Sequence, residues 1–117
     1  MSELRVTPDK YLPFRYAGAS GDFNPIHLDP ELAKAVGFPS NILHGLWTMA
    51  QVARAAVDEA GGDPRALRRL SVQFRGIGLP EQEIVVTASR QDDGKLALAA
   101  QQEDRQIVKN GEADLVT

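Results

Sequence analysis

The sequence has 117 residues, of which 43% are hydrophobic and 25% charged, with a formal net charge of −3 and no cysteine. This length fits one domain, residues 1–117, and the acidic balance argues against nucleic acid or an anionic membrane surface as a partner. No segment approaches the ~20 apolar residues that cross a bilayer, and the first residues lack a signal-peptide pattern, so we expect a cytosolic protein. The absence of cysteine excludes disulfides, thiol nucleophiles and thiolate metal sites.

The first third of the chain carries helix signals interrupted by proline. Thr7-Pro8-Asp9 offers a hydroxyl cap, a proline at the first helical position and an acid in the first turn, which predicts a helix start. Pro13 lies too far into that segment for a regular helix, so we expect a kink, or a short turn followed by a second helix over residues 14–18. Asp29-Pro30-Glu31 starts a further short helix, which Val36-Gly37 ends.

One long helix is predicted from Ile42 or His44 to Ala60, closed by Gly61-Gly62. It is apolar nearly all round, and its polar stripe is thin, consisting of Thr48, Gln51, Arg54 and Asp58. A helix of this kind has to be covered on most sides, so we interpret it as the central helix of the fold.

From Leu67 onward the hydrophobic period changes to two, which predicts strands over residues 67–75 and 84–89 with a corner at Gly76–Pro80. Asp93-Gly94 predicts a hairpin turn into a strand over residues 96–102. A last strand covers residues 106–116, where Asn110-Gly111 forms either a second hairpin or, as we favour, a bulge.

Helices followed by antiparallel strands indicate an α+β fold, with the long helix against one sheet. About four strands cannot cover such a helix, so we expect a dimer whose sheets join at an edge.

The loop between the first helices carries the best chemical candidates. Asp22 and His27 stand five positions apart on a segment that Gly21 and Pro25 keep out of regular helix. Two titratable groups on a stiff loop suit acid/base chemistry. The alternative is structural, because Asp22 and Asn24 are also common turn residues and a histidine often serves as a hydrogen-bonded core residue.

The start of the long helix carries the second group of candidates. The unpaired N–H of Gly45, supported by the helix dipole, can point at a developing oxyanion, although a glycine there can also simply loosen the helix start. His44 is either a catalyst or a residue that holds the connector, residues 38–41, between the second short helix and the long helix.

Metal and phosphate sites have weaker support in the sequence. Two histidines seventeen positions apart, with Asp22, do not form a zinc signature, so we expect no metal. Four arginines near or on the first long strand could bind phosphates, although we favour their placement on a solvated face of the sheet: Arg65, Arg68, Arg69 and Arg75.

The stretch Tyr16-Ala-Gly-Ala-Ser-Gly-Asp-Phe-Asn-Pro-Ile-His27, followed by Ile42-Leu-His-Gly-Leu-Trp47 and later Leu79-Pro80, resembles the MaoC-like (R)-specific enoyl-thioester hydratases, or hydratase 2. The resemblance implies a hot-dog fold, in which an antiparallel sheet wraps a long central helix and two subunits share a continuous sheet.

The resemblance also implies roles for individual residues. Asp22 and His27 match the catalytic acid/base pair, and Gly45 matches the residue whose N–H binds the thioester carbonyl. Asn24 matches a residue that holds the loop. Asn24 and His44, together with Gly45, are expected to contact the substrate. Ala53 stands where some members carry a hydroxyl.

The implied activity is reversible hydration of trans-2-enoyl thioesters to (3R)-3-hydroxyacyl thioesters, on coenzyme A or acyl carrier protein, without a cofactor and in fatty-acid or related acyl metabolism. A homodimer is expected, with a heterodimer as the alternative. Two other functions stay open: a non-catalytic partner subunit of a heterodimeric hydratase, and a hot-dog thioesterase. The thioesterase would need a carboxylate on the central helix, where only Asp58 and Glu59 are present.

Overall fold

The computed structural model describes residues 2–116 of the chain. Helices come first and strands follow, apart from one strand at the amino terminus. In chain order the elements are β1 (Ser2–Val6), α1 (Leu12–Ser20), a 3₁₀ turn (Pro25–His27), α2 (Pro30–Ala35), α3 (Gly45–Glu59), a second 3₁₀ turn (Pro64–Ala66), β2 (Leu67–Phe74), β3 (Ile84–Arg90), β4 (Leu96–Gln102) and β5 (Arg105–Leu115). Within the described residues no helix combines the length and apolarity needed to cross a bilayer.

The five strands form one antiparallel sheet in the order β1-β3-β4-β5-β2. The predicted hairpin at Asp93-Gly94 joins β3 to β4, with Gly94 at φ 86°. The predicted bulge is also confirmed, because Leu98 pairs with Gly111 whereas Ala100 pairs with Val108, which leaves one extra residue in β5. A Cβ on Gly111 would lie 2.6 Å from the carbonyl oxygen of Leu98, so only glycine fits there.

The amino-terminal region differs from the prediction in two ways. Residues 2–6, which were given no element, form edge strand β1, and Leu4 lies opposite Val86 of β3. The helix start predicted at Thr7 is wrong, since the Asp9 carboxylate accepts the N–H of Tyr11 and closes a turn there. Helix α1 then begins at Leu12, which places Pro13 in its first turn, where a missing N–H costs no helical hydrogen bond. The predicted alternative, a short turn followed by a helix, therefore describes this region better than a helix from Thr7.

Helix α2 has the predicted bounds almost unchanged, because the Asp29 carboxylate caps it by accepting the N–H groups of Glu31 and Leu32. Long helix α3 lies across the sheet and contacts β1, β2, β3 and β4. The core that they enclose is made of aliphatic side chains that are almost fully buried, among them Val52, Ala56, Ile84, Val86, Leu96, Leu98, Ile107 and Val108. The α+β architecture with a central helix is confirmed, and it is the hot-dog arrangement.

The orientation of α3 corrects the predicted polar stripe. Thr48, assigned to that stripe, is only 4% exposed, whereas Leu46 on the predicted apolar side is 66% exposed. The sheet contacts the helix face that runs through Thr48, Val52 and Ala55, and Leu46 projects almost opposite to Thr48 because successive helical residues turn by 100°. The chain alone thus covers one side of α3, and the expected dimer stays a prediction.

Candidate active site

A succession of short turns shapes the loop after α1. Gly21 caps the helix in the left-handed region at φ 81°. The Ser20 hydroxyl then accepts the N–H of Asp22 (3.1 Å), the Asp22 Oδ1 accepts the N–H of Asn24 (3.2 Å), and the Asn24 Oδ1 accepts the N–H of Ile26 (3.2 Å). Each side chain bonds the backbone two residues further on, which is the local turn chemistry of serine, aspartate and asparagine. The interpretation of Asp22 and Asn24 as turn residues is therefore correct, and their catalytic and binding roles stay predictions.

His27 ends the 3₁₀ turn and is 8% exposed. Its Nδ1 lies 2.9 Å from the carbonyl oxygen of Ile42, and because a carbonyl only accepts, Nδ1–H is the donor. The free nitrogen Nε2 is then directed toward the Asp22 Oδ2, 3.7 Å away. The Asp22 side chain is 52% exposed, so the pair joins a buried imidazole to a solvated carboxylate. This arrangement can accept and return protons.

His44 packs directly against this pair and is 3% exposed. Its ring stacks on His27 with centroids 3.9 Å apart and planes inclined by 21°, and the Tyr16 ring lies 4.7 Å away on α1. The His44 Nε2 donates to the main-chain oxygen of Asp22 at 3.0 Å. These contacts join His44 to the loop and to α1 rather than to the connector, and its contact with substrate stays a prediction.

The candidate ligand atoms of Asp22, His27 and His44 lie within 4.8 Å of one another, so the geometry of a metal site needs testing. A metal ion binds in the plane of an imidazole ring at about 2.0–2.1 Å from nitrogen. Two nearly parallel rings stacked 3.9 Å apart cannot both direct a nitrogen at one such ion. These three side chains therefore do not fit a shared metal.

Gly45 is the first residue of α3, and its N–H has no acceptor within the helix. The preceding residue, His44, makes no side-chain capping bond, so the positive end of the helix dipole is open. A Cβ built on Gly45 would lie 3.3 Å from the Phe74 ring, which lies beside the helix start. His27, Gly45 and Phe74 share a cavity of about 170 Å³ with Ile42, Leu43, Thr48, Gly76, Ile77, Gly78 and Ile107. The loop and the helix start thus face the same space.

The structure brings together all five predicted site residues, Asp22, Asn24, His27, His44 and Gly45, although their catalytic and binding roles stay predictions. The sequence reasoning missed three neighbours. Asn41, treated as connector, donates to the carbonyl of His27 at 2.9 Å. Phe74, within the strand predicted over residues 67–75, lies beside Gly45, and Thr48, predicted on the polar stripe, is buried. Asn41 stands directly before the apolar residues Ile42 and Leu43, and this is the one signal that was available.

Two further expectations concern residues away from the cavity. Arg65, Arg68, Arg69 and Arg75 are all exposed, and this agrees with the solvated sheet face rather than with a built phosphate site. Asp58 and Glu59 lie at the far end of α3, about 20 Å from Gly45 at 1.5 Å per residue. The carboxylate that a thioesterase would need on this helix is therefore absent from the site.

Comparison with known proteins agrees with this geometry. Residues 2–112 match the family described as MaoC like domain. The chain is 39% identical over 84 residues to Enoyl-CoA hydratase 2, peroxisomal, of Arabidopsis thaliana, covering 71% of this chain and 26% of that protein. It is 44% identical over 90 residues to the Peroxisomal hydratase-dehydrogenase-epimerase of Saccharomyces cerevisiae, covering 77% of this chain and 9% of that protein.

Among solved structures, a MaoC-like dehydratase from Phytophthora capsici superposes with a TM-score of 0.90 at 31% identity, covering 99% of this chain and 40% of that one. The chain thus spans well under half the length of each of these three relatives. The family match nevertheless extends over residues 2–112, which include both the loop with Asp22 and His27 and the start of α3. The chain belongs to the MaoC-like family.

Proposed function

We propose that this protein catalyses the reversible hydration of trans-2-enoyl thioesters to (3R)-3-hydroxyacyl thioesters. The observation that carries the proposal is the opposed pair of the His27 Nε2 and the Asp22 Oδ2, 3.7 Å apart, together with a cavity that both His27 and Gly45 line. The family relationship supports hydratase or dehydratase chemistry, since relatives carry the names enoyl-CoA hydratase 2 and 3-hydroxyacyl-thioester dehydratase.

The Asp22–His27 pair is suited to hold the reacting water. A water about 2.8 Å from both the Asp22 Oδ2 and the His27 Nε2 closes a triangle on their 3.7 Å separation. In the hydration direction this water adds its hydroxyl to C3 of the enoyl group, while one of its protons passes to the pair. The pair returns a proton to C2, so that water is added overall and the enzyme recovers its starting state.

Gly45 supplies the other half of the chemistry. As the hydroxyl adds to C3, electron density moves through C2 to the thioester oxygen, which becomes an enolate. The Gly45 N–H at the open end of α3 is the group suited to stabilise that charge. A single oxyanion donor of this type contributes about 3 kcal/mol to the transition state. The residues that line the rest of the cavity are mostly apolar, which suits an acyl chain.

The substrate carrier is coenzyme A or acyl carrier protein, and the reaction belongs to fatty-acid or related acyl metabolism. We further propose that the chain works beside a second copy of itself. Leu46 on the open side of α3 is 66% exposed and Phe74 beside Gly45 is 53% exposed, so apolar surface next to the site is available to a partner. Sedimentation of the purified chain at several concentrations distinguishes a homodimer from a monomer that needs a different subunit.

Incubation with crotonyl-CoA tests the activity directly. We expect loss of the conjugated enoyl absorbance without release of free thiol, and the product on a chiral column should be the (3R) isomer. Thiol release without hydration would overturn the proposal in favour of a thioesterase. Absence of both reactions, in a chain that is folded but monomeric, would support a non-catalytic partner subunit instead.

A further inference from the structure

His44 occupies a position that links the two halves of the site. It is the residue immediately before Gly45 at the start of α3, yet its side chain extends back to the loop and donates to the Asp22 main-chain oxygen at 3.0 Å. Its ring also supports the His27 ring at a centroid separation of 3.9 Å. One side chain therefore contacts both members of the proton-transfer pair from the element that presents the oxyanion donor.

The environment of His44 leaves it little freedom to do anything else. The ring is 3% exposed, with Tyr16 at 4.7 Å and His27 at 3.9 Å, and its Nε2 is occupied by Asp22. It does not cap α3, although a capping side chain is what this position usually provides. The start of α3 therefore lacks a side-chain capping bond, because the His44 side chain binds the loop instead.

We infer that His44 is a positioning residue that sets the distance between the Asp22–His27 pair and the Gly45 amide. Its N–H fixes the Asp22 backbone, and its ring face fixes the plane of the His27 imidazole. Hydration requires the water at C3 and the thioester oxygen at C1 to be held at once, and a displacement of about 1 Å in such a site can lower the rate about 100-fold. This inference rests on the proposed hydratase function and goes beyond it by assigning His44 a role through other residues.

Three substitutions separate the two contributions of His44. His44→Phe keeps a ring to support His27 but removes the donor, His44→Gln keeps a donor but removes the ring, and His44→Ala removes both. We expect kcat to fall about 10-fold in each of the first two and about 100-fold in the third, with KM nearly unchanged. Val86→Ala, a core substitution on β3, is the control, since it lowers stability without touching the site. His44→Phe and His44→Gln variants that both keep full activity would overturn the inference.

A double-mutant cycle with Asp22→Asn tests whether His44 acts through the pair. In the Asp22→Asn background we expect His44→Ala to lower kcat by only about threefold, because there is little positioned chemistry left to lose. Additive losses would mean that His44 acts on the substrate by itself and would overturn the inference. A residue with only a structural role would produce a fall in thermal stability but no such coupling.

A nuclear magnetic resonance measurement tests the geometry independently of activity. The chain has two histidines, so the imidazole nitrogen spectrum reports these two rings alone. The neutral rings should be opposite tautomers, with the proton on Nδ1 of His27 and on Nε2 of His44. If the hydratase assay fails but this pattern is found, only the proposed function is wrong. If hydration occurs but His44 carries its proton on Nδ1, the positioning role is wrong.

Discussion

The two halves of the candidate site are stabilised by different kinds of interaction. The loop that presents Asp22 is shaped by bonds between each side chain and the backbone two residues later. The start of α3 is held from a distance: the Leu43 N–H donates to the Gly78 oxygen at 2.9 Å, and Phe74 of β2 lies beside Gly45. The turns of the loop therefore form from neighbouring residues, although His44 joins the loop to α3, whereas the helix start depends on the corner between β2 and β3.

The largest expected effect comes from removing either member of the pair in the loop half. Asp22→Asn and His27→Ala should each lower kcat by at least about 100-fold, since acid/base catalysis contributes about 10²–10⁴-fold. Asp29→Asn is the matched control, because Asp29 only caps α2 and asparagine is an equally good cap. Stopped-flow or steady-state hydration of crotonyl-CoA measures the change, and normal turnover in either variant would remove that residue from the mechanism.

The helix half is tested by removing the Gly45 N–H. Gly45→Pro deletes the N–H, while proline is well suited to the first position of a helix and His44, at ψ 132°, already has the backbone that precedes proline. We expect kcat to fall about 100-fold. Gly45→Ala is the control for bulk against Phe74, because it adds a Cβ but keeps the N–H. Equal losses in the two variants would show that crowding by Phe74, not the missing donor, is responsible.

The dependence of the helix half on the distant corner is tested at Gln102, which is fully buried. Its amide donates to the Leu79 oxygen at 2.7 Å and accepts the Leu79 N–H at 2.8 Å, next to the Gly78 oxygen that holds Leu43. Gln102→Leu leaves these groups unpaired, so the free energy of unfolding should fall by about 2 kcal/mol in urea titrations. Gln101→Leu on the exposed side of the same strand should change it by less than about 0.5 kcal/mol.

The smallest effect is expected at Asn24 in the loop half. Asn24→Ala removes the acceptor for the Ile26 N–H on an exposed turn, which should cost about 1 kcal/mol or less by analogy with helix caps. We expect a fewfold loss in kcat, because the backbone of the 3₁₀ turn still presents His27. Asn24→Ser retains an acceptor and should restore most of it. A loss as large as that of His27→Ala would instead indicate that Asn24 contacts the substrate.

The same contrast explains how much could be predicted from the sequence. The bounds of α2, the end of α3 before Gly61-Gly62, the hairpin at Asp93-Gly94 and the bulge at Gly111 depend on local turn and cap chemistry, and each prediction was confirmed. The loop residues Asp22 and His27 were identified for the same reason. Edge strand β1 was missed because its partner, β3, is distant in the chain, and five residues alone give a weak alternating pattern.

The long-range contacts of the site had no such local signal. That Phe74 lies beside Gly45, that Thr48 is buried and that His44 donates to Asp22 all follow from how α3 lies on the sheet. Residue spacing along α3 predicts which side chains share a face, but it does not determine which face meets the sheet when the helix is apolar nearly all round. The predicted polar stripe failed at Thr48 for this reason.

The bulge at Gly111 has a consequence for the curvature of the sheet. A bulge bends its strand and increases the local twist, and here it divides the eleven-residue strand β5 into two arms. The first arm carries Ile107, which forms a wall of the cavity beside His27, and the second carries Ala113, which packs in the core. Bending at Gly111 allows one continuous strand to line the candidate site at one end and to pack in the core at the other.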